Sequence, residues 1–256
     1  MAEIQAVHAK SRASYGSPRI QAALKKGGMC LSRKRVAGLM KRLGLHGSQK
    51  RRFRPVTTES HHDYPVSENR LRSLESVERP DQVWVSDITY IQTAGRWSYL
   101  AVVMDLFNRE VKGWSLEFHL RSELIQAAFQ KACYRYEPGE GILFHSDRGC
   151  QYASTAFRQM LERKGFISSM SRKGNCYDNA ALESFWSTLK AEVVPSKGFE
   201  SLAQARLVLF DYIECFYNRS RLHSSLGYQS PVEYEQCYYR QFTLAGVSTK
   251  SGQVQL

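Results

Sequence analysis

Apolar positions divide the chain into two kinds of stretch. Near the N-terminus Val36, Leu39, Met40 and Leu43 recur at i, i+3, i+4 and i+7, the spacing of one helix face, with Ser32 placed to cap that helix. A preceding helix is expected over 19–26, broken by Gly27-Gly28. From about Pro80 the pattern changes. Strands are expected at 83–91 and 97–105, on either side of the turn Thr93-Ala94-Gly95, and at 111–116. Helical periodicity follows over 122–136, then a short buried strand at 142–145, a helix at 155–164 closed by Gly165, a strand at 166–170 and a helix at 180–193. This order predicts an α/β domain whose mixed sheet carries helices on both faces and sets the first strand beside the fourth.

Three acids stand out against that pattern. Asp87 follows the apolar run Val83-Trp84-Val85, Asp147 follows Ile142-Leu143-Phe144, and Glu183 lies in the helical stretch Ala180-Ala181-Leu182-Glu183-Ser184-Phe185-Trp186. A carboxylate in a core-type strand is costly unless it is paired or bound to a cation. Separate ion pairs and caps would account for any one of them; the three together point to one cluster. Carboxylate oxygens without nitrogen or sulfur select hard cations, hence Mg²⁺, with Mn²⁺ as a substitute. Asp105, just ahead of a turn, is a rival fourth acid better suited to a turn-side hydrogen bond. His145 stands two positions before Asp147 and is either a back-up to the site or a hydrogen-bonded core histidine. On the helix, Ser187 and Lys190 follow Glu183 at i+4 and i+7, so all three share a face.

Charge adds a second feature. The 256 residues carry 36 Lys+Arg against 24 Asp+Glu, a net +12. Residues 1–82 hold 17 of the bases and 7 of the acids, so +10 of that excess is N-terminal. A basic arm on a nearly neutral body suits a polyanion. Arg33, Lys34, Arg35 and Lys41 on the second helix are candidate DNA contacts, as are Arg172 and Lys173 in the polar loop leading to the Glu183 helix. The run Lys50-Arg51-Arg52-Phe53-Arg54-Pro55 and the polar stretch after it read as a linker. Six cysteines show no C-x-x-C pair, and His61-His62 has no partner cysteines nearby, so a zinc module is not expected. No apolar run has the length of a membrane span, and a cytoplasmic, nucleoid-associated protein is expected.

The motifs Trp84-Val85-Ser86-Asp87-Ile88-Thr89-Tyr90, His145-Ser146-Asp147-Arg148-Gly149-Cys150-Gln151-Tyr152 and Asp178-Asn179-Ala180-Ala181-Leu182-Glu183-Ser184-Phe185-Trp186, with 35 residues between Asp147 and Glu183, closely resemble the integrase-type core of bacterial insertion-sequence transposases, in particular the second-frame product of the insertion sequence three family. The similarity runs from about residue 15 to 234. It implies a ribonuclease-H-like integrase core with a five-stranded sheet, preceded by a small helical DNA-binding module. The expected divisions are 1–48 for a helix-turn-helix-like module, 49–79 for the linker, 80–236 for the core and 237–256 for a C-terminal tail, disordered from about Thr243. The resemblance also implies two Mg²⁺ ions, with Asp87 bridging them and Asp147 and Glu183 each completing one. Cleavage of a DNA strand by water and attack of a 3′-hydroxyl on a second phosphodiester would follow. Implied partners are the element ends and target DNA, further copies of the chain in a synaptic complex, and an upstream-frame protein, the stretch ahead of Tyr15 being shorter than the family's. The stretch from Phe216 to Pro231, with Tyr217, Asn218, Arg221 and His223, also matches; it is expected to be structural with some DNA contacts, and a tyrosine recombinase is not recognisable in it. The rival functions are a ribonuclease acting on RNA–DNA hybrids and an inactive DNA-binding remnant of a decayed element.

Overall fold

The computed structural model describes residues 1–48, 67–171 and 180–250, the side chains of the last helix through Gln241. The basic run at 50–55 and the loop with Arg172 and Lys173 lie outside the described residues.

The N-terminal unit consists of α1 (Ala2–Lys10), α2 (Ser17–Lys26) and α3 (Arg33–Arg42). Ser32 caps α3 through its hydroxyl, which accepts from Arg35 N. Val36 and Met40 are buried and Leu39 and Leu43 partly so, as the helical stripe required. Helix α1 was not expected. It buries only Ile4 and His8, too few anchors to show as a periodic pattern.

One five-stranded sheet forms the body, with β1 (Val83–Thr93), β2 (Arg96–Asp105), β3 (Val111–Glu117), β4 (Leu143–Ser146) and β5 (Ile167–Met170) in the order β3-β2-β1-β4-β5. β1–β2 and β2–β3 are antiparallel; β1–β4 and β4–β5 are parallel. Alternation along β1 feeds two cores. Trp84 faces α4 (Ser122–Tyr136), α5 (Cys150–Ala153) and α6 (Thr155–Arg163), in a cluster where Phe129 meets Phe144, Phe157 and Phe166 edge-on. Val83 and Val85 face the opposite cluster, which holds α7 (Ala180–Glu192) and α8 (Leu202–Phe210) together with Ile4, Ile20, Leu24, Val36 and Met40 of the N-terminal unit. That unit therefore shares an apolar core with the body that carries the sheet.

The C-terminal stretch is more ordered than the sequence suggested. A π-helical segment, Asp211–Tyr217, follows α8. Helix α9 (Pro231–Lys250) crosses the boundary expected at 236 and runs past Thr243. Ser230 and Glu233 exchange backbone and side-chain hydrogen bonds at its start, and Tyr234 and Tyr238 pack on Phe107. Those long-range ring contacts hold a helix that its own composition does not announce.

Gly113 lets α4 lie close to β3: a Cβ there would stand 2.3 Å from the Ala128 carbonyl oxygen. Gly113→Ala is expected to cost roughly 1–3 kcal/mol or more, because backbone must move, and chemical denaturation measures it.

Lys112 is fully buried, with Asp81, Asp105, Glu110 and Glu235 within 3.0–3.8 Å and the Tyr136 ring at 4.3 Å. Asp105 also accepts from Phe107 N and Asp81 N, the turn-side role expected of it. Four carboxylates around one ammonium cannot all ionise cheaply. Burial pushes Asp105 and Glu235 each up to about 7. The folded chain then holds more protons than the unfolded one between about pH 4 and 7, so this contribution to stability falls as pH rises through that window. Thermal unfolding across it should show a flatter decline for Asp105→Asn than for the unaltered chain.

Candidate active site

Two elements of the sheet set the site. β1 and β4 pair in parallel with Val83 opposite Leu143 and Val85 opposite His145, so extending the register by two residues places Asp87 level with Asp147. Asp87 continues the Val83–Val85 face, the one that α7 covers, and Glu183 lies in the first turn of that helix.

Asp87 is half-buried. Its Oδ2 accepts from the indole Nε1 of Trp186 at 2.8 Å. Burial first, and the Asp147 carboxylate second, push its carboxyl up to about 7; the Trp186 hydrogen bond opposes this and Glu183 adds to it. Asp147 Oδ1 accepts from Gly149 N at 2.9 Å, which turns the chain back toward α5. Arg148 Nε donates to the Ser171 carbonyl at 2.8 Å and holds the same turn. Glu183 is exposed. Beneath the pair, the buried hydroxyls of Ser86 and Tyr152 lie 2.9 Å apart. Burial, then Asp87 and Asp147, raise the Tyr152 phenol well above its ordinary value, so it stays neutral.

Among the described residues no three His, Cys, Asp or Glu side chains stand at metal-holding distances. Asp147 and Glu183 both act electrostatically on Asp87, without the three closing into a cage. The donor chemistry nonetheless fits a divalent cation. Oxygen ligands alone are present, and burial first and the Asp147 charge second drive Asp87 toward its protonated form, a cost that a bound cation would offset.

Other expected residues fall into place separately. Lys190 is half-buried; burial lowers its pKa while Asp87 holds it up, so the ammonium belongs to the site's surroundings. His145 is buried, its Nδ1 2.9 Å from Ser169 Oγ, a hydrogen-bonded core position. Arg33, Lys34, Arg35 and Lys41 are exposed on α3. Tyr217 is buried against Phe185 at 4.8 Å between ring centres, a core aromatic with no path to a phosphodiester. Trp186 and Tyr152 received no role from the sequence. The one available signal was that Trp186 lies three positions after Glu183 on the same helix.

This sheet order, with acids at the β1–β4 step and on the following helix, defines an integrase-type core behind a helical N-terminal unit. Residues 77–176 and 164–231 match two models of an integrase core domain, and residues 1–53 match an HTH-like domain. The Shigella sonnei insertion element IS600 uncharacterized 31 kDa protein is 42% identical, covering 93% of this chain and 87% of its own length. Transposase InsF for insertion sequence IS3A from Escherichia coli is 40% identical over 91% of this chain and 80% of its own. The transposase for insertion sequence element IS904 from Lactococcus lactis subsp. lactis is 37% identical over 91% of this chain and 92% of its own. A simian T-cell lymphotropic virus intasome in complex with PP2A regulatory subunit B56 gamma shares the fold, with TM-score 0.52 and 14% identity over 91% of this chain and 74% of that one. The chain belongs to the integrase-core family of insertion-sequence transposases, and it is a DNA transposase.

Trp186→Phe removes one of the two N–H groups that donate to the Asp87 carboxylate, the Ile88 amide being the other. The proton affinity of Asp87 should then rise on the order of tenfold, the size of one hydrogen bond to a charged group. A ¹³C carboxyl titration of the metal-free chain reads this directly; an unmoved titration would mean the indole contact does not tune the site.

Proposed function

We propose that the chain cleaves a DNA strand at the element end and joins the freed 3′-hydroxyl to a second phosphodiester, with Asp87, Asp147 and Glu183 holding the divalent metal that this chemistry needs. The supporting observation is the parallel β1–β4 register, which, extended past Val85–His145, brings Asp87 level with Asp147, with the Glu183 helix over the same face. A pair of Mg²⁺ ions, or Mn²⁺ in their place, would supply activation of the attacking oxygen and stabilisation of the leaving one when bound.

The protein's own residues do the rest. Asp87, from the first strand of the sheet, would be the shared ligand, with Asp147 and Glu183 each completing one site. Trp186 orients the Asp87 carboxylate through Oδ2, and the Gly149 amide orients Asp147 through Oδ1. Exposure of Glu183 leaves it free to swing inward when its charge is met. Lys190, two turns along α7, meets the phosphate backbone beside the reacting bond, and Arg172 and Lys173 contact it from the loop before α7. On α3, Arg33, Lys34, Arg35 and Lys41 bind the duplex. Two element ends have to be brought together, which calls for several copies of the chain, with an upstream-frame protein as an added end-binding partner.

Asp87→Asn, Asp147→Asn and Glu183→Gln should each lower strand cleavage and transfer by on the order of a thousandfold or more, as members of one functional unit do. Duplex binding measured without metal should change little. Chelation of the metal should abolish the activity of the unaltered chain, and Mg²⁺ or Mn²⁺ should restore it. A variant of this set that keeps full Mg²⁺-dependent cleavage removes its residue from the site.

A further inference from the structure

The turn at Ser220–Leu222, within the C-terminal motif, is gripped from two sides. On one side Arg221, its side chain 3% exposed, makes a two-point pair with Glu192: Nε to Oε2 at 2.9 Å and Nη2 to Oε1 at 2.6 Å. Glu192 is the last residue of α7, and its Oε2 also accepts from the Tyr212 hydroxyl at 2.8 Å. On the other side Leu222 N donates to the Tyr15 hydroxyl at 2.6 Å, and the Leu222 carbonyl accepts from Arg19 Nε at 2.9 Å. One short turn thus touches both the N-terminal unit and the helix that carries Glu183.

The chemistry of these contacts favours geometry over bulk stability. A buried ion pair contributes little net stability once desolvation is counted, but a guanidinium fork on a carboxylate fixes direction at both ends. A cation at the C-terminal end of α7 also complements its helix dipole. Glu183 lies nine residues back from Glu192, about 13 Å along the helix, so a small tilt at the anchor displaces the carboxylate.

We propose that Arg221 is a positioning residue for Glu183: it sets the tilt and rotation of α7 through Glu192, and the Tyr15–Leu222 contact makes that setting depend on docking of the N-terminal unit. The proposal rests on Glu183 being a site carboxylate. Docking of the unit on DNA would then reach the reaction centre through α2, the Ser220–Leu222 turn and α7.

Amide hydrogen exchange on the full chain, without DNA or metal, tests it. Arg221→Lys keeps the charge and loses the fork; Tyr15→Phe loses the hydroxyl alone. Each should speed exchange in α7 by about tenfold or more while β1 and β2 stay protected. Lys26→Gln removes the exposed Lys26–Glu233 contact between the N-terminal unit and α9 and should leave α7 unchanged. With an element-end duplex, Arg221→Lys should lower kcat for cleavage on the order of tenfold to a hundredfold, with duplex affinity within about twofold. If Arg221→Lys does not fold, Glu192→Gln, which preserves shape and one acceptor, is read the same way. Unchanged α7 exchange, or an equal rise in α7, β1 and β2, overturns the positioning role. An effect from Arg221→Lys without one from Tyr15→Phe overturns the link to the N-terminal unit. Glu183→Gln separates the two readings: if it still cleaves, the site assignment fails, whereas an inactive Glu183→Gln beside an Arg221→Lys of ordinary exchange and kcat sinks the positioning role alone.

Discussion

Parallel hydrogen bonding between β1 and β4 brings together two segments that are far apart in sequence, and it does so in a register that sets Asp87 level with Asp147. Each strand pays for an acid at the end of its apolar run, and the raised pKa of Asp87 is the trace of that cost. Shifting the pairing by one residue would turn Asp87 away from α7 and into the aromatic cluster around Trp84 and Phe129. The apolar residues on both faces therefore hold the register that the acids need. Trp84 on one face and Val83 with Val85 on the other leave β1 a single way to sit.

Around that centre the structure ties its parts together with buried polar contacts as well as apolar ones. Asn218 acts as a strand partner for Val111, accepting from its N and donating to its O at 3.0 Å, and so closes the outer edge of β3. Lys112 gathers the β2–β3 turn, Asp81 ahead of β1 and Glu235 of α9 around one ammonium. Arg12 pairs with Asp211, and Tyr15 meets the turn after the π-helical segment. These links make the N-terminal helices part of the catalytic body's packing. A boundary drawn at 48 separates them in sequence, yet Ile4, Ile20 and Val36 bury in the same cluster as Leu182 and Leu189.

The legible elements were those whose signal is local. Strand alternation, the Ser32 cap and the glycine stops marked β1 to β5 and α2, α3, α4, α6 and α7, with ends displaced by one or two residues. Helices α1, α5, α8 and α9 were not legible. Helix α8 has exposed Leu207 and Phe210 beside buried Ala205 and Leu209, so no single apolar stripe announces it. Helix α9 owes its place to Phe107 and Lys112, residues more than a hundred positions away. The C-terminal motif could be read as structural but its contacts could not be assigned, because its polar groups find their partners in β3, α7 and α2.

What the sequence determined by itself was the list of acids, their order and their strand or helix settings, since burying a carboxylate beside Val, Trp and Phe needs a reason that is visible in the string. The basic excess of the first 82 residues was visible in the same way. What only the tertiary structure decided was which groups hold those acids: Trp186 on Asp87, Gly149 on Asp147, and Arg221 on the far end of the Glu183 helix. Alternation and helical period specify a face for each side chain, but a face acquires its partners only when distant segments pack. The tuning of Asp87 is a property of that packing, because desolvation and the field of neighbouring charges depend on distance through space.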